Sequence, residues 1–493
     1  MAITTSPPRV LTAEEYERYW KPQGWQLIII GPTSTWRQDW GKWEAIRDIV
    51  QNALDEAEGY QYGYDENGFW IADNGKGIAV SNFLLGPPKL KPDWARGKYG
   101  EGMKIACLAL IRKGYPVYVK TVGRELWIIF FQQKVDGMAE TLAALWRPDG
   151  TTRGTVFHII GYRGSDYKDR FVTNIRYNVI HSAPSLITQP VQRFNELISK
   201  PSGRLYARDI YMKDIESEWS YNLWSFELAP DRHAPKSEHE VYVDAGRLWA
   251  TVCDVDLLAE FLECVRYPPT GKVFEQNIEM HKYELGLDPL TGRFYTDYMK
   301  DNVESWKQAW VTTFGDDVVL RTSDRWDSIV KHLGYTPISL VYGVSAELAY
   351  IVPTDVDLIK KSQDRLREAK VIPDEELTRK QLAHLKLARR IAWFFESKGK
   401  AADVYAAIIP PASDRVRTAG MYSKVTQEIY ISVDQLESCR NTVDTVIHEI
   451  AHHISGAEDL QKEHSETMTK VAARVVELTA AGVLDEQLSS VVW

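Results

Sequence analysis

Two histidines one helical turn apart, with a glutamate beside the first, stand out in His448-Glu449-Ile-Ala-His452. Imidazoles at i and i+4 project from one face of a helix about 5–6 Å apart, a spacing that suits two ligands of one Zn2+. Glu449 sits where a carboxylate can accept a proton from water at the metal. The flanks agree with a helix. Val443, Val446, Ile447, Ile450 and Ile454 make an apolar stripe, Asn441 is a candidate N-cap and Gly456 a candidate stop. A third ligand is required. His464 follows on a helix whose apolar face holds Met468, Val471 and Val475, and its spacing from that face turns it inward. Glu463 and Glu466 are alternatives, and His453, about 100° around from His452, reads as a bystander. Two plainer readings stand beside this one: histidines that are merely structural, and zinc that is bound without proteolysis.

A second group of residues suits a nucleotide. Asp48, Asn52 and Asp55 fall at i, i+4 and i+7 and share one helix face. An Asn carbonyl there can ligate Mg2+, and a nearby carboxylate can orient water. Asp73, at the end of a short apolar strand, opens Asp73-Asn-Gly75-Lys-Gly77. A carboxylate at a strand end can accept from an exocyclic amine such as that of adenine, and the glycines permit close backbone approach. Gly97-Lys98-Tyr-Gly100-Glu-Gly102-Met-Lys104 then opens a helix, where backbone N–H groups face a phosphate. Lys89, Lys91, Arg96, Lys98 and Lys104 form a local basic patch. Each string alone is ordinary turn punctuation; their order and placement give them weight.

Taken together, QNALDEA, DNGKGI and GKYGEGMK stand where the GHKL (Bergerat-fold) ATPase superfamily has its N-box and two glycine boxes, and Gly154-Thr155-Val156 is similar to that family's later strand motif. The resemblance covers about residues 25–160. It implies that Asn52 holds Mg2+, that Asp73 reads adenine, and that Gly97, Gly100 and Gly102 cradle phosphates under a lid spanning 81–99. Gly75, Gly77, Asp55, Lys98, Lys104 and Thr155 would complete the ATP site. The family's water-activating Glu is Asp48 here, with about 1.5 Å less reach, which predicts slow hydrolysis or a nucleotide that acts mainly as a conformational ligand. Lys213 is an assisting lysine by position alone; a surface lysine is its plainer reading. The segment 375–480 resembles a minimal zincin metallopeptidase domain. That resemblance implies Glu449 as catalytic base, His448, His452 and His464 as zinc ligands, and an edge strand at Glu428–Ser432 on which an extended peptide substrate pairs. Tyr422 is the only guess for an oxyanion partner.

Positioning these groups takes an α/β (α+β) protein. At 493 residues the chain is too long for one ordinary core. The reading is an N-terminal arm (1–20), a Bergerat-type α/β sandwich (21–160), a mixed α/β middle domain (161–360) and a zincin-like domain (361–493). Patterning predicts a strand at Leu27–Ile30, a helix over Trp36–Glu58, a strand at Phe69–Ala72, a helix over Gly102–Arg112, and strands at Val117–Val122, Leu126–Phe131 and Thr155–Ile160. Farther on, Arg204–Met212 and Glu240–Val243 read as strands, 356–375 as a charged connection and Glu375–Phe395 as a long helix. Strands at Val404–Ile409 and Gln427–Val433 precede the two C-terminal helices.

Composition narrows the classes. Apolar residues make up 44%, which excludes a disordered chain. A net charge of −9 argues against binding along a nucleic-acid backbone, which needs basic stripes. None of the four cysteines is spaced as CxxC, so neither a disulfide framework nor a cysteine zinc site is indicated. The absence of a signal-like N-terminus and of long apolar runs predicts a cytoplasmic protein with no membrane partner. The expected partners are ATP and a protein or peptide substrate, with homodimerisation through the N-terminal arm as GHKL proteins do. The expected function is ATP binding coupled to zinc-dependent peptide hydrolysis. The alternative is an ATP-dependent clamp or chaperone-like switch in which the zincin domain binds metal or a partner.

Overall fold

A computed structural model describes residues 6–56, 60–79, 95–96, 101–132, 140–163, 167–229, 234–268, 273–397, 399–459 and 461–491. The architecture is mixed α/β, and the chain falls into two compact units. Unit 1 is 1–249 with 286–294, and unit 2 is 250–285 with 295–493. No described helix is long and apolar enough to cross a membrane.

Unit 1 is built on an eight-stranded sheet. Its strands are β1 (Val10–Thr12), β2 (Gln26–Thr33), β3 (Tyr60–Tyr64), β4 (Gly68–Asp73), β5 (Val117–Thr121), β6 (Arg124–Gln132), β7 (Thr141–Pro148) and β8 (Thr155–Ile160), in the order β2-β7-β6-β5-β8-β4-β3. These neighbours all pair antiparallel, while β1 pairs parallel with the far end of β6. Period-2 alternation sorts β6 cleanly: Leu126, Ile128 and Phe130 join one core, while Trp127, Ile129 and Phe131 join another. Two helices, α1 (Lys42–Glu56) and α2 (Gly102–Arg112), cover the first face through Ile46, Ile49, Val50 and Ala53 and through Ile105, Leu108 and Ala109. The opposite face is covered by the N-terminal segment itself, through Leu11, Trp20 and Trp25.

Helix α1 begins later than Trp36. The Arg112 guanidinium donates to the carbonyls of Trp36 and Arg37, both at 3.0 Å, and holds that stretch as a turn. Glu44 then caps the helix by accepting from Gly41 N–H at 2.8 Å. A five-stranded sheet follows, from β9 (Val179–Pro184), β10 (Phe194–Ile198), β11 (Arg204–Ala207), β12 (Ile210–Asp214) and β13 (Ser220–Leu223). The expected single strand at Arg204–Met212 is thus a hairpin, broken where Arg208 and Asp209 take φ of 53° and 73°. Glu240–Val243 is not a strand. It lies in helix α3 (Glu238–Ala250), because Val241, Ala245 and Leu248 repeat at helical spacing and are fully buried.

In unit 2 the C-terminal core is a four-stranded sheet covered by helices. Its strands are β14 (Lys370–Ile372), β15 (Asp403–Ile408), β16 (Gly420–Ser423) and β17 (Glu428–Ser432), in the order β14-β15-β17-β16. The helices are α4 (Arg379–Ala392), α5 (Cys439–Ser455) and α6 (Lys462–Ala480). The segment 356–375 is not a solvated connection. Thr354 caps a helix over Asp355–Leu366 by accepting from Asp357 N–H, and β14 follows as a strand of the sheet. Helix α4 starts at Arg379 because Thr378 and Gln381 form a reciprocal capping box.

Candidate functional site

Helix α5 carries the histidine pair. Its N-cap is Ser438, which accepts from Asn441 N–H, so Asn441 lies inside the first turn. Gly456 closes the helix at φ 67°, as its position suggested. That left-handed residue turns the chain so that α6 returns alongside α5, and the turn carries Asp459.

Four side chains converge there. One ligand atom from each of His448, His452, Asp459 and His464 lies within 4.8 Å of all the others. The Nε2 atoms of His448 and His452 are 3.3 Å apart, and Asp459 Oδ1 lies 2.9 Å from the first and 3.1 Å from the second. The His464 ring stacks on that of His452 at 4.0 Å between centroids, and His464 is only 3% exposed. Glu463 and Glu466 are both exposed. His464 is the buried member, as the helical spacing implied. Asp459 was not anticipated. It sits between two helices, where no periodicity points anywhere, and its one sequence signal is its place just past the Gly456 stop.

The donor set fits a divalent cation. Two nitrogens bound at 2.0–2.1 Å in tetrahedral geometry stand about 3.3 Å apart. The Nδ1 of His452 donates to the Ala457 carbonyl at 2.8 Å, which fixes the tautomer and leaves the Nε2 lone pair facing the cluster. Asp459 Oδ1 is buried and makes no well-formed hydrogen bond, although two imidazole nitrogens stand within 3.1 Å of it. Converging lone pairs of this kind call for a positive charge at their centre. The two imidazoles hold Asp459 far below the usual carboxylate range. Asp459 in turn raises His448. Burial lowers His452, but the Asp459 carboxylate beside it and its bond to the Ala457 carbonyl outweigh this and leave it raised. Burial lowers His464.

Glu449 is 5% exposed, and burial pushes its carboxyl up to about 7. It accepts from the backbone N–H of Tyr422 on β16. A Cβ on Gly420 of the same strand would stand 2.6 Å from Thr445 Cγ2 and 2.9 Å from Glu449 Oε1, so only glycine lets β16 lie this close to α5. β16 is also the sheet edge. The expected edge strand, Glu428–Ser432, is β17 and is interior, paired parallel with β15 and antiparallel with β16. The hairpin through Gln427, at φ 59°, folds the short Gly420–Ser423 segment back outside it. His453 is not one of the four converging side chains, and its ring is held elsewhere. Its Nε2 donates to the Lys400 carbonyl at 3.0 Å, so Nδ1 accepts from the Tyr422 hydroxyl at 3.1 Å. That bond engages the hydroxyl considered for an oxyanion.

The nucleotide candidates lie along α1 of unit 1. Asp48 is 4% exposed, and a Cβ on Gly102 would collide with its carboxylate. Asn52 Nδ2 donates back to the Asp48 carbonyl at 2.7 Å and to its carboxylate at 3.2 Å. At the other end of the helix, a Cβ on Gly75 would collide with Glu56. Asp48, Asn52 and Glu56 form one i, i+4, i+8 row about 12 Å long, with Gly102 packed at one end and Gly75 at the other. Asp55 points elsewhere: its carboxylate accepts from Arg96 N–H at 2.9 Å. Asp73 accepts from Gly75 N–H at 2.8 Å and from Thr155 N–H, and burial raises its carboxyl. Gly77, at φ 83°, leads to Ile78, whose N–H bonds the Thr121 hydroxyl, itself 3.0 Å from that of Thr155. Lys104 is buried, and its ammonium is lowered by that burial. A cleft of about 870 Å³ opens beside the first glycine turn, lined by Glu56, Asn74, Gly75, Lys76, Thr152 and Arg153. Gly97, Lys98 and Gly100, and nearly all of the expected lid, lie outside the described residues. Lys213 pairs with Glu238 at 2.6 Å.

No protein-family model matches this chain, and no curated protein sequence is significantly similar to it.

Proposed function

We propose that the C-terminal unit is a zinc-dependent peptidase and that the N-terminal unit binds Mg-ATP as a GHKL-type domain. The 3.3 Å spacing of the His448 and His452 Nε2 atoms, with His464 and Asp459 completing the ring of donors, carries the first half. Bound zinc would supply a Lewis acid that polarises a peptide carbonyl and eases loss of a proton from water. His448, His452 and His464 would hold it. Glu449, buried beside the cluster, would take the proton from the attacking water and pass it to the leaving amine. β16 is the edge of the sheet, where an extended substrate backbone can pair. The Asp48–Asn52 pair packed against Gly102, and Asp73 bonded to the N–H of Gly75 beside the cleft, support the nucleotide half. The decisive experiment measures zinc per chain in wild type and His464→Ala, and casein hydrolysis in wild type and Glu449→Gln. One zinc that is lost with His464, together with hydrolysis lost with Glu449, supports the reading. A chain without zinc ends it.

A second reading is favoured by Asp459. Four protein ligands leave zinc no open position, as in structural sites. The C-terminal unit would then be a metal-stiffened binding module within an ATP-dependent clamp. Full biological activity of a Glu449→Gln chain would favour that reading.

A further inference from the structure

Resting on the metal reading above, we infer that Asp459 is a removable cap on the metal site: a fourth ligand that keeps the centre closed until the turn carrying it moves away. The four donors are not held alike. His448 and His452 project from the middle of a 17-residue helix, and His464 projects from a 19-residue helix. The outer nitrogen of His452 is anchored by the Ala457 carbonyl. Asp459 stands instead on the short turn between these helices, with its side chain 36% exposed. Ligating carboxylates are usually fixed by a hydrogen bond on their second oxygen. Among the described residues, Asp459 Oδ2 finds only His332 Nε2, at 3.8 Å. Among the described residues, the neighbouring Glu458 is tied to surface groups: its N–H donates to Gln461, and its carboxylate pairs with Lys424 on the β16–β17 hairpin.

The geometry matches a ligand rather than an acid that supports a ligand from behind. Oδ1 lies 2.9 and 3.1 Å from the two Nε2 atoms, which are themselves 3.3 Å apart. Those separations belong to atoms sharing one small cation. The three imidazoles form a complete set without it, since catalytic zinc sites use three protein ligands and leave the fourth position to water or substrate. Asp459 occupies that fourth position beside Glu449. The Lys424–Glu458 pair also links the capping turn to the hairpin whose edge would receive a peptide, so a peptide drawn along β16 would disturb the pair that steadies the cap.

The test loads the full chain, stripped of metal, with Co2+ and titrates azide while recording the visible absorption. An anion that must displace Asp459 binds more weakly by the fraction of molecules with the cap open. The expected result is one cobalt per chain in wild type, in Asp459→Ala and in the isosteric Asp459→Asn, with azide binding about tenfold or more tighter in both variants. Equal azide affinity in wild type and variants would overturn the cap. Loss of cobalt from both variants while their circular dichroism stays native would also overturn it, because Asp459 would then be indispensable. Wild-type protein that takes up no cobalt would refute the metal site itself, and the cap with it.

Discussion

The Nε2 atoms of His448 and His452 face each other across 3.3 Å, with Asp459 Oδ1 completing a triangle. Without a cation this arrangement sets lone pairs against one another; with one it is a ligand set. Metal removal should therefore be felt by the fold. A ligand that binds only the folded chain raises its stability. Chelation should lower the melting temperature of wild type and leave a His448→Ala chain, already without metal, unchanged. His464→Ala should weaken zinc binding by more than the roughly 10–100-fold typical of outer-shell changes. Calorimetry with and without chelator checks both.

Hydrolysis should have an acid limb set by Glu449. Burial pushes this carboxyl up to about 7. It can accept a proton only when ionised, so the rate should fall as pH drops below about 7 and level off above it. A cation alongside favours the ionised form and would move the limb lower, never higher. Glu449→Gln should retain zinc and lose roughly 10²–10⁴ in rate. A pH–rate profile on casein, with zinc analysis of the variant, measures both effects.

Gly420→Ala tests the packing of the edge strand on α5. The added carbon would press on Thr445 and Glu449. Overpacking of this kind costs about 1–3 kcal/mol. Urea denaturation should show that loss, and casein hydrolysis should fall with it. A variant as stable as wild type would mean that β16 does not lie where it is described.

In unit 1, Asn52→Ala should abolish Mg-ATP binding, and Gly102→Ala should weaken it by driving Asp48 away from α2. Titration calorimetry measures each directly. If the two sites are coupled, casein hydrolysis should differ among wild type with ATP, wild type with a non-hydrolysable analogue, and Asn52→Ala. Equal rates in all three would remove the coupling.

An ion pair on α4 predicts acid sensitivity of the C-terminal core. Hydrogen bonds from Arg389 hold the Asp374 carboxyl below its ordinary value. A lowered carboxylate adds stability above its unfolded pKa and loses it as pH falls through the folded one. Asp374→Asn should flatten the acid side of the stability curve, which urea melts across pH 3 to 6 would reveal (about 3.9 being the unfolded value).

Several of these features were legible in the residues because they obey a period. Gly102–Arg112 and Thr155–Ile160 begin and end as patterned, and the inward turn of His464 follows from Val471 and Val475, both buried. Non-local features were hidden. Asp459 reaches the histidines only because Gly456 turns left-handed. Glu428–Ser432 looked like an edge because β16, four residues long, has too little alternation to announce a strand outside it. Asp355–Leu366 looked like a connection because its charges mask the buried Ile359 and Ser362. Asp48 looked like part of a polar face, yet α1 buries it against Gly102.

The opening stretch of the chain has a practical consequence. Leu11, Trp20 and Trp25 lie over Tyr118, Trp127 and Ile129, and β1 adds a strand to β6. They act as lagging on the rear of the sheet. A version begun at residue 26 would bare a broad oily panel to water and should clump on expression, however intact its nucleotide residues remain.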